Sequence, residues 1–367
     1  GMTADDIALT LQRGLGVRGA VHLLALAGSA EAVYAASEEE LVGAFGLRRD
    51  VAHGIVCRSA HRQAEAELRH MKRNGISALA STDAAYPALL RECPDYPHVL
   101  YFVGDPAAFG GRSLGVVGTR AATVYGQRMC DAVVGRMAEL LPDTVIVSGL
   151  AYGIDADAHR AALRYGLRTV GVIANPLPGV TPAQHRALAH DIAERGGAVV
   201  TELHSGTKQN GAYFIPRNRI IAGMGEGTLV VESPAGGGAL STAALADGYG
   251  RTVMAVPGRA DDRCSAGTNR LVMDRRAAVV CSGDDVVREL GWDIVEPGAI
   301  PAREAPPPLL SADEKRLLEC MPDGEASDMD TLALRSGIPV GQLSALLLGL
   351  ELAGRVRALP GKRYERC

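Results

Sequence analysis

The stretch "SLGVVGTRAATVYG", residues 113–126, predicts a buried strand, a glycine-containing turn and the start of a helix. Units of this kind often bind nucleotides, because N–H groups at the start of the helix face a phosphate. The glycines do not follow the GxGxxG spacing of a dinucleotide-binding turn. Gly118, Thr119 and Arg120 instead form the turn, and they add a hydroxyl and a guanidinium. Since a guanidinium binds phosphate bidentately, the turn favours a phosphate ligand, with a surface ion pair of Arg120 as the alternative.

Short apolar runs alternate with helical stretches from residue 113 onwards. Continuous β-branched runs separated by helices predict a mainly parallel sheet with helices on both faces, a Rossmann-like α/β fold. Ligands of such sheets gather at the carboxyl ends of the strands. The run "HVLYFVGD", residues 98–105, predicts an additional edge strand. The remaining runs are "TVIVS", "LRTVGVI", "GAVVTE", "GTLVVE", "RTVMAVP" and "AAVVC".

Changes of pattern along the 367 residues predict four segments. Residues 1–75 predict a small helical domain, SAM-like or helix-hairpin-helix-like, with two helix-turn-helix units. Residues 76–294 form the predicted Rossmann-like domain, and the residues 295–309, rich in proline and alanine, form a linker. Residues 310–367 contain three helical stretches and a predicted hairpin, which is the pattern of a winged-helix-like domain.

Neither terminal domain shows a strong signal for DNA binding. Residues 1–75 contain as many basic as acidic residues, although the glycine turns of this domain offer N–H groups that suit a phosphate. The third helix of the winged-helix-like domain is mostly apolar, and Glu351 is its only charged residue. A DNA-reading helix needs basic or amide side chains, so protein contact or an accessory role is the favoured interpretation.

The composition limits the classes of function. The formal net charge is −4, so any nucleic-acid site must be a local basic patch. The seven cysteines are scattered and form no CxxC pair, which argues against a disulfide framework or metal site and favours the cytoplasm. No apolar run approaches the ~20 residues of a membrane helix. No cofactor is predicted, and helix capping and packing are the favoured roles of Asp155, Asp157 and His159 after "TVIVS".

The stretch "LHSGTKQNGAYFIPRNRIIAGMG", residues 203–225, contains no acidic residue and mixes cations with aromatic rings. Cations bind phosphates and rings stack on bases, so this composition favours single-stranded nucleic acid. Alternatively, one of its two arginines turns inward and fixes the loop. The later turn "SPAGGGALST" fits either phosphate binding or tight backbone packing. The candidate residues of the two stretches are Lys208, Phe214, Arg217, Asn218, Arg219, Gly237 and Gly238.

Five ordered motifs, over roughly residues 80–290, resemble the DNA-processing protein A family of bacteria, also called DprA or Smf. The motifs are "VGTRAATVYG", "SGLAYGIDADAH", "FIPRNRIIAG", "GGALSTAALADGYGRTVMAVPG" and "AGTNRLV". The resemblance implies a single-stranded DNA-binding protein that protects incoming DNA and loads the recombinase RecA during natural transformation. It also implies a homodimer formed through the Rossmann-like domain, with no enzymatic activity.

The resemblance further implies a DNA pocket formed by the first turn and the basic stretch. The sequence departs from the family where Thr119 replaces a usual serine, which keeps the hydroxyl, and where the proline of "FIPRNR" comes one place late. A basic residue often lies where this chain has Gly211, and Lys208 reaches the pocket only if the loop folds back. The implied pocket residues are Thr119, Arg120, Phe214, Arg217, Asn218 and Arg219.

Three other classes of function compete with single-stranded DNA binding. Nucleotide phosphoribohydrolases of the lysine-decarboxylase-like (LOG) family share the glycine turn but use a glutamate three residues after a threonine. Here Leu245 follows Thr242 at that distance, so the acid is missing. A dinucleotide-dependent dehydrogenase lacks its fingerprint. A scaffold that binds proteins through its terminal domains, with a vestigial pocket, stays open as an alternative.

Overall fold

The structure is a computed structural model that describes residues 2–292, 310–322 and 324–367. The chain divides into a first unit of residues 1–295 and a second unit of residues 296–367. The predicted linker at 295–309 lies outside the described residues, so it stays a prediction.

Nine strands form one sheet in the first unit. Hydrophobic residues, many of them valine, predominate in these strands, and most positions are buried, as expected for a sheet covered on both faces. The strands are β1 (Ser77–Ala80), β2 (Val99–Gly104), β3 (Ser113–Val117), β4 (Val145–Ser148), β5 (Arg168–Val172), β6 (Ala198–Thr201), β7 (Gly227–Val230), β8 (Thr252–Ala255) and β9 (Ala278–Val279).

The strand order is β1-β2-β6-β5-β4-β3-β7-β8-β9. All neighbours from β6 to β9 pair in parallel, whereas β2 pairs antiparallel with both β1 and β6. The predicted mainly parallel sheet is therefore confirmed. The prediction that residues 98–105 form an edge strand was wrong. These residues contain β2, but β1 pairs with its outer side and is the edge strand instead.

Fourteen helices belong to the described part of the first unit, and many begin at a residue that caps them. Thr123, for example, accepts a hydrogen bond from the backbone N–H of Gly126 (3.1 Å) and so starts the long helix α8. The helices are α1 (Ala4–Leu11), α2 (Val17–Ala27), α3 (Ala30–Ala35), α4 (Glu38–Gly43), α5 (Arg49–Val56), α6 (His61–Asn74), α7 (Ala88–Arg91), α8 (Val124–Leu140), α9 (Ile154–Arg164), α10 (Arg186–Glu194), α11 (Phe214–Met224), α12 (Ala239–Gly248), α13 (Ala266–Met273) and α14 (Gly283–Leu290).

Alternate residues of the central strands face different cores. Leu114 and Val116 of β3 pack with buried residues of α8, α9 and α14 on one face. Val117, at the end of the same strand, packs with α11 and α12 on the other face. This period of two is what a strand buried on both sides requires, and it places α11 and α12 beside the carboxyl end of β3.

Helices α1–α6 form the helical N-terminal region that the sequence predicts. The α1–α2 and α4–α5 turns each contain a glycine with positive φ, Gly14 (+82°) and Gly46 (+72°), as the two predicted helix-turn-helix units require. The core of this region continues into β2, β6 and α10. Its first helix is attached to the sheet domain where His98 Nε2 lies 2.9 Å from Asp6 Oδ1.

The second unit contains a winged-helix arrangement of three helices and a three-stranded sheet in the order β10-β12-β11. The predicted hairpin is β11–β12, to which the short β10 adds a third strand. No single helix among the described residues is both long and apolar enough to cross a membrane. Only the bent pair Met329–Ser336 and Val340–Leu352, which meet at 102°, is long and apolar enough when the two helices are taken together. The elements are α15 (Ala312–Glu319), β10 (Ser327–Asp328), α16 (Met329–Ser336), α17 (Val340–Leu352), β11 (Val356–Leu359) and β12 (Arg363–Arg366).

Candidate nucleic-acid interface

A pocket of about 230 Å³ opens at the carboxyl edge of the sheet, between the ends of β3 and β7. The strand order reverses here, because β4 lies on one side of β3 and β7 lies on the other. Open α/β sheets bind their ligands in the crevice at such a reversal. The pocket brings together all the sequence-predicted site residues except Lys208 and Arg219. Those that line it are Gly118, Thr119, Arg120, Phe214, Arg217, Asn218, Gly237 and Gly238.

The turn after β3 is held by Glu232, which lies 109 residues along the chain from Thr123. Thr119 donates its backbone N–H to the carbonyl oxygen of Glu232 (2.7 Å). The Glu232 carboxylate accepts hydrogen bonds from the N–H and the hydroxyl of Thr123 (2.9 and 2.5 Å), just before α8 begins. This buried carboxylate therefore takes the position at the helix start that a phosphate would otherwise prefer.

Gly118 and Thr119 shape the turn, and the N–H of Thr119, which is bonded to Glu232, is not available to a phosphate. A Cβ added to Gly118 would lie 2.7 Å from Ile154 Cβ and 2.9 Å from the Glu232 carbonyl oxygen, so glycine permits close packing here. The Thr119 hydroxyl accepts a hydrogen bond from the N–H of Ala121 (3.2 Å). The positive charge that a phosphate needs at this pocket must therefore come from side chains.

Arg120 is the side chain best placed for that task. It is exposed, and no carboxylate of the described residues lies within ion-pairing distance. Its guanidinium carbon lies 5.0 Å from the ring centroid of Phe214, close enough for a cation–π contact. The predicted alternative of a surface ion pair is thus not seen, and the guanidinium N–H groups are available to a ligand.

Gly153 fixes the backbone of Arg120 from the neighbouring loop between β4 and α9. Its φ is +73°, and an added Cβ would lie 2.6 Å from the carbonyl carbon of Arg120. The next N–H, of Ile154, donates to the carbonyl oxygen of Thr119 (3.1 Å). Only glycine allows these two loops to touch in this conformation, so Gly153 determines the backbone position of Arg120.

We expect Gly153→Ala to lower both the stability and the affinity for the ligand of Arg120. The unfavourable φ costs roughly 1–3 kcal/mol, and the clash displaces the backbone of Arg120. Gly166→Ala is the matched control, because Gly166 has a similar φ (+78°) but no atom within 4 Å of the added Cβ. Urea unfolding and oligonucleotide binding should show a stability loss in both variants and an affinity loss in Gly153→Ala alone; equal affinities would contradict the positioning role.

Arg217 lies at the floor of the same pocket and is only 5% exposed. Its Nη1 donates to the carbonyl oxygens of Gly149 (2.7 Å) and Val172 (2.5 Å), and its Nε donates to Asn218 Oδ1 (3.2 Å). Burial lowers the pKa of this guanidinium to about 10, so it stays charged at neutral pH. Among residues 2–292 no group accepts a hydrogen bond from its Nη2, which leaves two N–H groups for a ligand.

Asp155, for which the sequence predicts only helix capping and packing, also lines the pocket. Its buried Oδ2 accepts the N–H of Gly149 (3.1 Å), and burial raises its pKa while the nearby charge of Arg217 lowers it. A Cβ on Gly149 would lie 2.6 Å from that oxygen and 2.9 Å from Arg217 Cζ. Asp155 and Gly149 together therefore set the position of the Arg217 guanidinium.

The far wall of the pocket joins α11 to the glycine turn before α12. Asn218 Nδ2 donates to the Ser241 hydroxyl (3.1 Å), which donates in turn to the carbonyl oxygen of Gly238 (2.7 Å). A Cβ on Gly237 would overlap Ser233 Oγ, whereas Gly238 faces open space. Gly237 thus serves tight backbone packing, and Gly238 leaves the approach to the pocket clear.

Phe214 and Ile215 form the apolar part of the pocket. The Phe214 ring has both guanidinium groups beside it, Arg120 at 5.0 Å and Arg217 at 5.8 Å. Ile215 is 68% exposed at the first turn of α11 and was not predicted as a site residue. Its signal in the sequence was weak, because α11 is hydrophobic on most sides and an apolar residue there suggests core.

Arg219 and Lys208 lie outside the pocket. Arg219 is buried and donates through Nη1 and Nη2 to the two oxygens of Glu202 (2.6 Å each), and through Nε to the Asp95 carbonyl oxygen (3.0 Å). Both arginines of the segment are thus buried, and Arg219 is the one that is closed in an ion pair and fixes the segment. Lys208 is exposed in the segment before α11 and does not line the pocket.

We expect Arg219→Ala to destabilise the fold by about 1.5–3 kcal/mol, because it leaves the Glu202 carboxylate, which is only 17% exposed, without its charged partner. Ligand binding by the folded fraction should stay unchanged, since the side chain does not reach the pocket. A double variant, Arg219→Met with Glu202→Leu, should recover much of the stability because both charges are removed. Thermal unfolding with binding at low temperature tests this; weakened binding by fully folded Arg219→Ala would show that the side chain does contribute.

Two family models match consecutive parts of the chain. A family model described as DNA recombination-mediator protein A matches residues 77–291, and one described as DprA winged helix domain matches residues 301–362. The chain is 32% identical over 307 residues to the Escherichia coli protein Smf, covering 81% of this chain and 79% of that protein.

The chain also resembles solved structures of DNA processing proteins. The X-ray structure of DNA processing protein A from Streptococcus pneumoniae has 29% identity and a TM-score of 0.67, covering 78% of this chain and 98% of that one. A Helicobacter pylori DNA processing protein A, described with a single-stranded DNA binding mode, has 24% identity and a TM-score of 0.54, covering 60% and 98%. The second match supports the fold.

Proposed function

Because this chain belongs to the DNA recombination-mediator protein A family, we propose that it binds single-stranded DNA through the pocket at the carboxyl edge of its sheet. The observation that carries the proposal is the convergence of Arg120 and Arg217, from two separate segments, on the ring of Phe214. The family relative from Helicobacter pylori, described as binding single-stranded DNA, supports the choice of ligand.

Each part of the pocket has a distinct task in this proposal. Arg120 and the Nη2 group of Arg217 bind a backbone phosphate, and charged hydrogen bonds of this kind are the strong ones. Phe214 and the exposed Ile215 pack against a base. Gly238 leaves room for the strand to approach.

The shape of the site favours an unpaired strand. A concave pocket of about 230 Å³ admits a nucleotide whose base is turned out of its stack, and a single strand offers such bases freely. In a duplex the base faces are hidden, and extruding one costs a few kcal/mol. We therefore expect single-stranded DNA to bind more tightly than duplex.

The chemistry of the pocket favours binding over nucleotide hydrolysis. Thr242 lines the pocket, but Leu245, where the phosphoribohydrolases carry glutamate, packs against the core. Asp155 is the one carboxylate among the described residues that line the pocket, and it is hydrogen-bonded to Gly149. Incubation with AMP should accordingly release no ribose 5-phosphate.

The cellular role is proposed from family membership. The chain protects incoming single-stranded DNA during natural transformation and loads RecA onto it, acting in the cytoplasm as a homodimer through its Rossmann-like domain. Free thiols suit a reducing compartment, and six cysteines carry them: Cys57, Cys93, Cys130, Cys264, Cys281 and Cys320. Each of these roles requires the strand to be held by its backbone, as the pocket allows.

Fluorescence anisotropy with labelled oligo-dT and with a duplex of equal length tests the proposal. Oligo-dT should bind more tightly, and the logarithm of its association constant should fall with the logarithm of salt by about 0.7 for each phosphate neutralised. Equal binding of duplex, or no binding of oligo-dT, would overturn the proposal and leave the protein-binding scaffold as the interpretation.

A further inference from the structure

A second concavity, of about 580 Å³, lies on the other side of Arg120 and is lined by Tyr152, Arg160 and Gln184. We propose that it is a second nucleotide subsite, in which a base stacks on Tyr152 and Arg160 binds a backbone phosphate. This proposal rests on the proposed function, because it extends the path of the same DNA strand beyond the first pocket.

The first pocket is too small to hold more than part of a strand. Its volume of about 230 Å³ is below the roughly 300–1,000 Å³ that is usual for sites of small ligands. A strand with one nucleotide in it must leave along the surface. Arg120 lines both concavities, so a phosphate bound there can join a nucleotide in the pocket to the next one in the second subsite.

Tyr152 has the geometry of a stacking platform. Its side chain is 44% exposed, yet the hydroxyl donates to Gln184 Oε1 (2.8 Å) and the ring meets His185 edge to face at 5.1 Å. His185 is itself buried and fixed, since its Nδ1 lies 2.7 Å from the carbonyl oxygen of Leu150. Because its edge and its hydroxyl are both held, the ring keeps a fixed orientation and exposes an apolar face to a base.

Arg160 supplies the second cation of this subsite. It lies in the second turn of α9, its side chain is 51% exposed, and its Nη1 is 3.7 Å from Asp157 Oδ1. That ion pair is long and exposed, so it is weak and competes poorly with a phosphate. With Arg120 and Arg160 against Asp157, the charged side chains that line the subsite favour an anionic ligand.

The alternative path leads from the pocket past Ile215 towards Lys208. That side offers an exposed cation, but Lys208 lines none of the concavities described for the first unit. The Tyr152 side combines a concave surface, an aromatic ring and a cation, which is the combination that binds single strands without sequence preference. The two paths make opposite predictions for variants of the full chain.

The test compares oligo-dT of about 3 and about 12 nucleotides, below and within the range of usual single-strand sites. Tyr152→Ala should weaken binding of the longer oligonucleotide roughly tenfold, and Tyr152→Phe should keep most of the affinity because the ring remains. Arg160→Ala should reduce the slope of the logarithm of the association constant against the logarithm of salt concentration by about 0.7, because one fewer phosphate is neutralised. Neither alanine variant should change binding of the short oligonucleotide. Arg164→Ala, one turn further along α9 and paired with Asp131, is the control.

The outcomes separate this proposal from the proposed function. If Tyr152→Ala and Arg160→Ala bind the longer oligonucleotide like the unmodified chain while Arg120→Ala does not, the second subsite is refuted and the first pocket stands. If Lys208→Ala alone weakens the longer oligonucleotide, the strand takes the other path and the second subsite is again refuted. If Arg120→Ala also binds normally, the proposed function itself fails.

Discussion

Arg120→Ala is expected to weaken binding of single-stranded DNA by roughly 10- to 150-fold, the equivalent of about 1.5–3 kcal/mol for a hydrogen bond to a charged group. The guanidinium is exposed and lacks a carboxylate partner among the described residues, so its removal costs the folded state little. The slope of the logarithm of the association constant against the logarithm of salt concentration should become shallower by about 0.7, since one fewer phosphate is neutralised. Anisotropy titrations over a range of salt concentrations measure both quantities.

Arg112→Ala provides the matched control for this prediction. Arg112 precedes the same strand at its amino end, on the opposite edge of the sheet, and pairs with Asp143 (2.9 Å). Its removal deletes an equal charge from the same unit without touching the pocket, so affinity should stay close to that of the unmodified chain. A matching loss in both variants would mean that overall charge, and not the pocket, determines binding.

Arg217→Ala is expected to reduce both stability and DNA affinity. Its Nη1 satisfies the carbonyl oxygens of Gly149 and Val172, and leaving these buried acceptors unpaired costs about 2–4 kcal/mol in total. The nearby Asp155 carboxylate also loses a compensating charge, so its pKa should rise further. The floor of the pocket then loses its shape together with its second cation.

Denaturant unfolding and oligo-dT binding at low temperature separate the two effects. Arg217→Lys keeps a charge but cannot donate to both carbonyl oxygens while offering a planar pair of N–H groups to phosphate, so it should rescue little. Arg120→Ala and Arg217→Ala should therefore differ in stability while both lose affinity. A fully stable Arg217→Ala that binds normally would show that this side chain neither supports nor forms the site.

The two arginines of "FIPRNR" show how far the sequence determines the site. The sequence predicts a cationic stretch beside an aromatic ring, and the pocket indeed contains Phe214 and Arg217. Residues two apart on a helix point in different directions, so Arg217 and Arg219 cannot share one pocket on α11. Both are buried, and which of them is closed in an ion pair depends on Glu202, whose position relative to α11 is set by the sheet.

The first turn shows the same limit. Its strand, turn and helix could be predicted from residues 113–126, because the hydrophobic pattern and the glycines that mark their limits are local features of the sequence. The loss of the N–H cradle could not, because it depends on Glu232, which reaches the start of α8 from another strand end. With a carboxylate at the helix start, the exposed Arg120 is the cationic group of this turn that can bind a phosphate.

Photo-crosslinking of oligo-dT that carries 4-thiothymidine, followed by peptide mapping, tests most directly whether unpaired DNA lies in the pocket between the two arginine-bearing segments. We predict cross-links to peptides containing residues 118–123 and 213–218, both reduced in Arg120→Ala. Cross-links confined to the glycine turns of the N-terminal helices, or to α17 of the winged-helix unit, with none at those peptides, would contradict the account.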